Sequence, residues 1–323
     1  MTDPAFTILL PVHRPPALLP YAIASVLAQQ RRDLELFVVC DGAPLETVEV
    51  ARRHAAADPR VRVFEHPKGE RHGEAYRDQA LRHARGKFIC QIADDDLWFP
   101  NHLDEISRLL DDFDFGNLSQ VDVMPDGTFE IRPGNLADAG LRRMMLTGRF
   151  NFFGPTAAGY RIEAYRTLPI GWSPAPLDFP TDLFMWRKFL AQDELHFGSR
   201  ITVTSLKFKA GPRKDWSLEQ RRSEVAAWAA RLSGQAARDL IAQSALCRLS
   251  QSALDLTTSD KALGARVTVL ESQLRQANTN LAAIADRSDR LLRKLEKTRQ
   301  SWSWRLTRPF RKLARRIGRR AAG

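Results

Sequence analysis

Apolar residues recur in two alternating rhythms along the first two hundred positions. Thr7–Val12 is a short, nearly continuous apolar run, as expected of a strand buried on both faces. Leu18, Leu19, Ala22, Ile23, Val26 and Leu27 then follow helical spacing. Leu34–Cys40 reads as a second buried strand stopped by Asp41-Gly42, Leu45–Ala57 as helix and Val61–Glu65 as strand. Gly73–Ala84 reads as helix and Lys87–Ile92 as strand. Strands alternating with helices of about 10–15 residues predict βαβ units and a mostly parallel sheet. Ligands of such sheets sit beyond the carboxyl ends of the strands. Here those ends carry His13, Asp41 and Asp94–Asp96, three polar clusters brought to one edge.

The rhythm changes after a helix near Asn101–Leu110. Ser119–Val123 and Thr128–Ile131 flank a Pro125-Asp126-Gly127 turn, which predicts a hairpin. Thr181–Leu190 reads as helix, Thr202–Phe208 as strand, and Trp216–Leu254 as helix with polar breaks. From Leu263 the apolar positions are Leu263, Val267, Leu270, Leu274, Ala277, Leu281, Ile284, Ser288, Leu291 and Leu295, with Ala277 and Ser288 as weaker members. Spacing that alternates four and three is the seam of a coiled coil, here expected to join copies of the chain. The expected division is an α/β domain over 1–214, a helical extension over 215–258, a coiled coil over 259–300 and a basic tail over 301–323.

Charge is distributed unevenly. Residues 290–323 hold thirteen Lys/Arg and one acid, so they supply +12 of a net +11 and the first 289 residues net −1. In the tail Trp302, Trp304, Leu306, Phe310, Leu313 and Ile317 are interleaved with arginines, a composition suited to an anionic membrane surface. The α/β part shows no basic patch in sequence, which argues against a nucleic-acid partner. No apolar stretch approaches the roughly 20 residues of a membrane span, and the first strand-like run begins too early for a signal peptide. Three cysteines, Cys40, Cys90 and Cys247, share no metal-ligand spacing and predict neither a disulfide framework nor a zinc site. These features point to the cytoplasm, with attachment to the inner face of the cell membrane through the tail.

The densest chemistry is Ala93-Asp94-Asp95-Asp96-Leu97-Trp98-Phe99-Pro100. Carboxylates this close repel one another unless a cation or hydrogen-bond donors neutralise them. Hard oxygen ligands at a strand end suit Mg²⁺ or Mn²⁺, and such an ion also binds a diphosphate. The bland alternative is a solvated acidic turn before a helix. Lys207, Lys209, Arg213 and Lys214 after the last strand read either as a phosphate clamp or as a solvated basic loop. No Gly-rich phosphate loop of Walker or dinucleotide type is present.

The order of blocks adds to this. Thr7–Arg14, Ser25-Val26-Leu27-Ala28-Gln29, Leu36–Gly42, Gly73–Leu81, Ala84–Ile89 and the acidic run ending in Pro100 resemble, in sequence and spacing, the family 2 glycosyltransferases. The resemblance covers about residues 5–210 and implies a GT-A, Rossmann-like fold and an inverting transfer from a nucleotide-sugar donor. It implies that Pro11, Val12 and His13 line the nucleotide base, that Asp41 bonds the base or ribose, and that Arg77 lies beside the diphosphate. Asp94 and Asp95 match the family's ribose and metal carboxylates; Asp94 is assigned to the nucleotide sugar and Asp95 and Asp96 to the metal, any of the three carboxylates being able to ligate it. Ala93 and Cys40 depart from the family pattern, each standing where an acid is common. Pro180–Arg187 resembles the block that carries the general base, with Thr181 in place of a common Glu and Asp182 as the base. The expected partners are a nucleotide-sugar donor and a glycan or lipid-linked acceptor of surface polysaccharide assembly. The alternative is a non-catalytic scaffold of the same fold that oligomerises and binds membrane through its tail.

Overall fold

The computed structural model describes residues 3–300. They divide into two units, residues up to Leu254 and residues from Asp255. The first unit opens with β1 (Phe6–Val12), α1 (Leu19–Leu27), β2 (Leu34–Asp41), α2 (Leu45–Ala57), β3 (Val61–His66), α3 (Glu74–Leu81) and β4 (Phe88–Gln91). β1 pairs in parallel with β2 and with β4, and β2 with β3. The chain therefore steps outward from β1 on one side before β4 returns to the other. That reversal leaves a crevice beyond the carboxyl ends of β1 and β4.

The strands then change hand and sheet. β5 (Leu97–Trp98), α4 (His102–Asp112), β6 (Phe115–Leu118), β7 (Val121–Val123), β8 (Phe129–Ile131), α5 (Ala139–Thr147), β9 (Ala158–Arg161) and α6 (Ile162–Arg166) follow. α7 (Thr181–Leu190), β10 (Phe197–Arg200), β11 (Ser205–Lys207) and α8 (Leu218–Leu232) complete the body, and α9 runs Gln235–Gln300. The main sheet has the order β10-β6-β9-β4-β1-β2-β3, with β9 antiparallel to both neighbours. A second sheet has the order β5-β11-β7-β8. The expected hairpin is β7–β8, with Gly127 at φ 82 supplying its left-handed turn. The strand expected over Thr202–Phe208 is shortened to β11, and the helix expected from Trp216 is interrupted at Ser233-Gly234.

Period-two alternation sorts the strand residues between two cores. Phe6, Ile8, Leu10 and Val12 of β1, with Leu34, Leu36, Val38 and Cys40 of β2, face α1, α2 and α4. Leu9, Phe37, Val39 and Ile89 face the opposite side, with residues of α3, α6 and α7. This explains the unbroken apolar strands: both faces are covered. A third core joins the second sheet to the helices beyond it, through Val121, Leu206 and Phe208 against Val225, Trp228 and Leu232 of α8 and Ile241 of α9. The compact unit therefore runs past residue 214 to Leu254.

In the second unit the chain is helical from Asp255 to Gln300. Ile284 and Leu291, two of the seam positions, are exposed there. The basic tail over 301–323 lies outside the described residues. Among the described residues no helix is long and apolar enough to cross a membrane.

One contact ties the acidic run to the body. Ser25 lies in the last turn of α1, and Gln29 follows just after its end. Ser25 Oγ accepts from Trp98 N (3.3 Å), and Gln29 Nε2 donates to Phe99 O (2.8 Å). Gln29 Oε1 accepts from Leu103 N at the start of α4 (3.0 Å), and the side chain is fully buried. The Ser25–Gln29 block and the Asp94–Pro100 block are thus two halves of one hydrogen-bonded joint. Gln29→Leu leaves a buried N–H and a buried C=O unpaired, at about 1–3 kcal/mol each. Urea unfolding of this variant is expected to show a loss of about 2–4 kcal/mol in stability; a loss below 0.5 kcal/mol would show that the joint contributes little.

Candidate active site

A cavity of about 270 Å³ lies beyond the ends of β1 and β4. Pro11 and His13 with Arg14 bound it from the end of β1, His72 and Arg77 from the α3 region, and Ala93 and Asp94 from the end of β4. Pro155 and the first residues of α7, Thr181 and Asp182, close the far side. Five of the residues singled out in the sequence therefore share one cavity: Pro11, His13, Arg77, Asp94 and Asp182. Val12 points into the core between β1 and its helices. Asp41 is buried and engaged with the loop after β3, accepting from Gly69 N (2.7 Å) and Lys68 Nζ (2.5 Å). Gly73 must be small there, because a Cβ would stand 2.8 Å from Asp41 Cβ, and its φ of 68 is left-handed. Cys40 faces the core, and burial pushes its thiol up to about 11, so it remains neutral packing.

The three carboxylates of the acidic run have three different environments. Asp94 Oδ1 meets Arg14 Nη2 (2.9 Å), while Asp94 Oδ2 is buried without a partner. Asp95 Oδ2 meets Arg14 Nη1 (3.1 Å) and Arg221 Nη2 (2.6 Å), the latter from α8. Asp96 turns inward: its oxygens accept from Thr156 Oγ1 (2.5 Å) and Phe208 N (3.0 Å). Burial raises the pKa of Asp94 and Asp96 to about 7 each. Asp94 is drawn back by Arg14, and Asp96 by Lys207. Burial opposes charge on Lys207, yet Asp96, Asp182 and Asp122 together hold its ammonium above the ordinary value.

The oxygens suit a divalent cation only in part. Asp94 Oδ2 is an orphaned acceptor on a cavity-lining residue, and Asp95 is next to it; both are hard ligands. Asp96 differs from them in that both its oxygens already accept from protein groups. Among the described residues no group of three or more His, Cys, Asp or Glu could hold a metal ion. A cation here would need ligand oxygens from a bound diphosphate, the usual mode of Mg²⁺.

Cationic groups converge on the same space. Arg77 is fully buried, with its guanidinium 4.2 Å from the Trp172 ring, and it donates to His72 O (3.2 Å). Burial lowers its pKa, countered by Glu74; its Nε has no partner. Its Nη2 lies 3.9 Å from Glu74 Oε1 and its Nη1 donates to Gln91 Oε1 (3.5 Å), so an anion in the cavity would add to an existing pair. Glu74, itself buried, accepts from Thr181 Oγ1 (2.9 Å) and His72 N (2.9 Å), which fixes the start of α7 against α3. Asp182 Oδ1 accepts from Leu183 N (2.9 Å), and Oδ2 accepts from Asn151 Nδ2 (3.3 Å).

Arg14, Asn151, Thr156 and Arg221 escaped the sequence reading. Arg14 adjoins His13, so its neighbourhood was legible. Arg221 carried no local signal, because only the packing of α8 brings it to Asp95. Of the basic cluster, Lys209 pairs with Asp122 and Arg213 makes two bonds to Glu224 (2.5 Å each), while Lys214 is exposed.

Three comparisons bear on this geometry. The family model described as Glycosyl transferase family 2 matches residues 7–168. An uncharacterized glycosyltransferase of Rickettsia felis is 24% identical over 218 residues, covering 62% of this chain and 34% of that protein. The uncharacterized glycosyltransferase EpsJ of Bacillus subtilis is 30% identical over 93 residues, covering 29% of this chain and 26% of that one. The chain thus spans about a third or less of the length of these relatives. The crystal structure of S. aureus TarS 1–349 in complex with UDP-GlcNAc superposes with a TM-score of 0.50 at 16% identity, covering 63% of this chain and 58% of that one. This likeness supports a GT-A fold.

Inorganic pyrophosphate is expected to protect the protein against unfolding through Arg77. At about a hundredfold over its Kd the gain is about 2.7 kcal/mol. Arg77→Met is expected to lose most of it in a thermal-shift titration. Equal protection of variant and wild type would remove Arg77 from the anion site.

Proposed function

The chain belongs to glycosyl transferase family 2, and from that premise we propose that it moves a sugar from a nucleotide-sugar donor to a glycan or lipid-linked acceptor with inversion. The observation that carries this reading is the single cavity bounded by Arg77, Asp94 and Asp182, an anion site and a carboxylate facing one space. The donor's base and ribose belong beside Pro11 and His13, and its diphosphate beside Arg77 and Arg14. Asp94 and Asp95 would hold Mg²⁺ or Mn²⁺ together with the diphosphate, and the bound ion supplies counter-charge to that leaving group.

Asp182 is the general base in this reading. Asn151 and the Leu183 N–H hold its carboxylate in place at the helix start, where the helix dipole favours the anion. It accepts the proton of the acceptor hydroxyl as that oxygen attacks the anomeric carbon from the face opposite the diphosphate. Arg77 and Arg14 stabilise the charge that builds on the departing diphosphate.

The helical second unit is proposed to join copies of the chain through the seam that includes Ile284 and Leu291. The tail over 301–323 is proposed to bring them to anionic membrane. A multimer would present several tails to one surface, and linked weak contacts multiply. Flotation of the full-length protein with phosphatidylserine vesicles at low salt checks the tail, with failure to float as the contrary result.

Asp182→Asn is expected to lower transfer by about 10²–10⁴ with little change in donor affinity, because shape is kept and proton acceptance lost. Nucleoside-diphosphate release across UDP-, GDP- and dTDP-sugars measures both. Unchanged turnover in this variant moves the base elsewhere. No turnover of any donor by the wild type, with or without Mn²⁺, favours the scaffold reading.

A further inference from the structure

Arg221, in the first turn of α8, reaches back across 126 residues to the acidic run. Its Nη2 lies 2.6 Å from Asp95 Oδ2. The same oxygen accepts from Arg14 Nη1 (3.1 Å), and Arg14 Nη2 meets Asp94 Oδ1 (2.9 Å). Two carboxylates and two guanidiniums therefore balance in charge with no further cation. One acceptor is left over: Asp94 Oδ2, buried and unpartnered, on a residue that lines the donor cavity.

The start of α8 is built to hold Arg221 in this place. Ser217 Oγ accepts from Gln220 N (3.2 Å), and Gln220 Oε1 accepts from Ser217 N (2.8 Å), a reciprocal cap that fixes the first turn. One turn further on, Glu224 is tied to Arg213 (2.5 Å), and Val225 packs into the third core. The Arg221 side chain between these anchors is only 13% exposed. Arg222, the next residue, is 46% exposed and pairs with Glu219 of its own helix (2.6 Å).

A divalent cation on Asp95 and a guanidinium on the same oxygen are like charges at close quarters, and they repel. Arg14 engages both carboxylates and Arg221 engages Asp95, so displacing Arg221 breaks the fewer bonds. We propose that Arg221 is a positioning residue that holds Asp95 in the cation's stead and yields that carboxylate when a divalent cation arrives with the diphosphate. The proposal rests on Asp94 and Asp95 being the cation's carboxylates, and it goes beyond that reading by tying cation affinity to α8. Without a diphosphate the cation adds two positive charges to a site already in balance. With one, the anion offsets that charge and Arg221 is released.

The test uses the full-length protein, with Mn²⁺ and inorganic pyrophosphate as probes, and reads unbound Mn²⁺ by electron paramagnetic resonance. Without pyrophosphate, Arg221→Gln is expected to bind Mn²⁺ at least about tenfold more tightly than the wild type, while Arg221→Lys, which keeps the charge, stays close to the wild type. Arg222→Gln removes the same charge from the exposed neighbour and is expected to change the affinity by less than about twofold, since solvent screens it. In Arg221→Gln/Asp95→Asn the gain is expected to vanish. A second measurement needs no variant: in the wild type, amide hydrogen exchange over residues 221–225 is expected to quicken when Mn²⁺ and pyrophosphate are added together, and to stay unchanged with Mn²⁺ alone. Equal Mn²⁺ affinity in the wild type and Arg221→Gln overturns the proposal. So does an equal gain in Arg222→Gln, a gain that survives loss of the Asp95 carboxylate, or wild-type exchange that the two probes together leave unmoved. The enzymatic reading fails separately, if the wild type turns over no nucleotide sugar whatever the Mn²⁺ affinities.

Discussion

Three consecutive carboxylates buried at the end of one strand must each be neutralised, and the way this happens organises the molecule around them. Asp94 and Asp95 share the Arg14 guanidinium, supplied by the turn after β1. Asp95 also draws in Arg221 from α8, which lies in sequence beyond the matched family region. Asp96 is satisfied from two further directions, by Thr156 ahead of β9 and by the backbone of Phe208 after β11. Four separate parts of the chain are thus committed to one short acidic run. Removing Arg14 would take from buried Asp94 the ion pair it makes and leave much of its desolvation cost uncompensated.

The same arrangement explains why the residues downstream of the family match belong to the working body. α8 packs on the second sheet through Val225, Trp228 and Leu232, and Arg213 ties the preceding loop to Glu224 while donating to Val123 O (3.0 Å). That packing sets the position of Arg221. The segment over residues 151–155 plays the corresponding part on the opposite side. It carries Asn151 to Asp182, places Pro155 in the cavity, and is held by Gln120 and Arg132. Lys207 lies half-buried among Asp96, Asp122 and Asp182, so its charge serves both the acidic run and the start of α7.

The sequence by itself determined the alternating strands and helices, because burial on both faces demands continuous apolar strands and one-sided burial demands helical spacing. It also determined that His13 and Asp94 meet, since strand ends in a parallel sheet share one edge; Arg77 and Asp182, on helices, were placed with them only by the family resemblance. The acidic run and the Ser25–Gln29 block were each legible as part of the family pattern, but the hydrogen-bonded joint between them through Trp98, Phe99 and Leu103 was not. Tertiary structure alone decided which carboxylates stay open. Asp96 looks no different from Asp94 along the chain, yet it is turned inward onto Thr156 and Phe208, while Asp94 keeps one unpartnered oxygen. It also decided that Arg221 reaches the site and that Arg213 does not. Those outcomes depend on which side chains meet across separations of tens of residues, and neither periodicity nor local spacing carries that information.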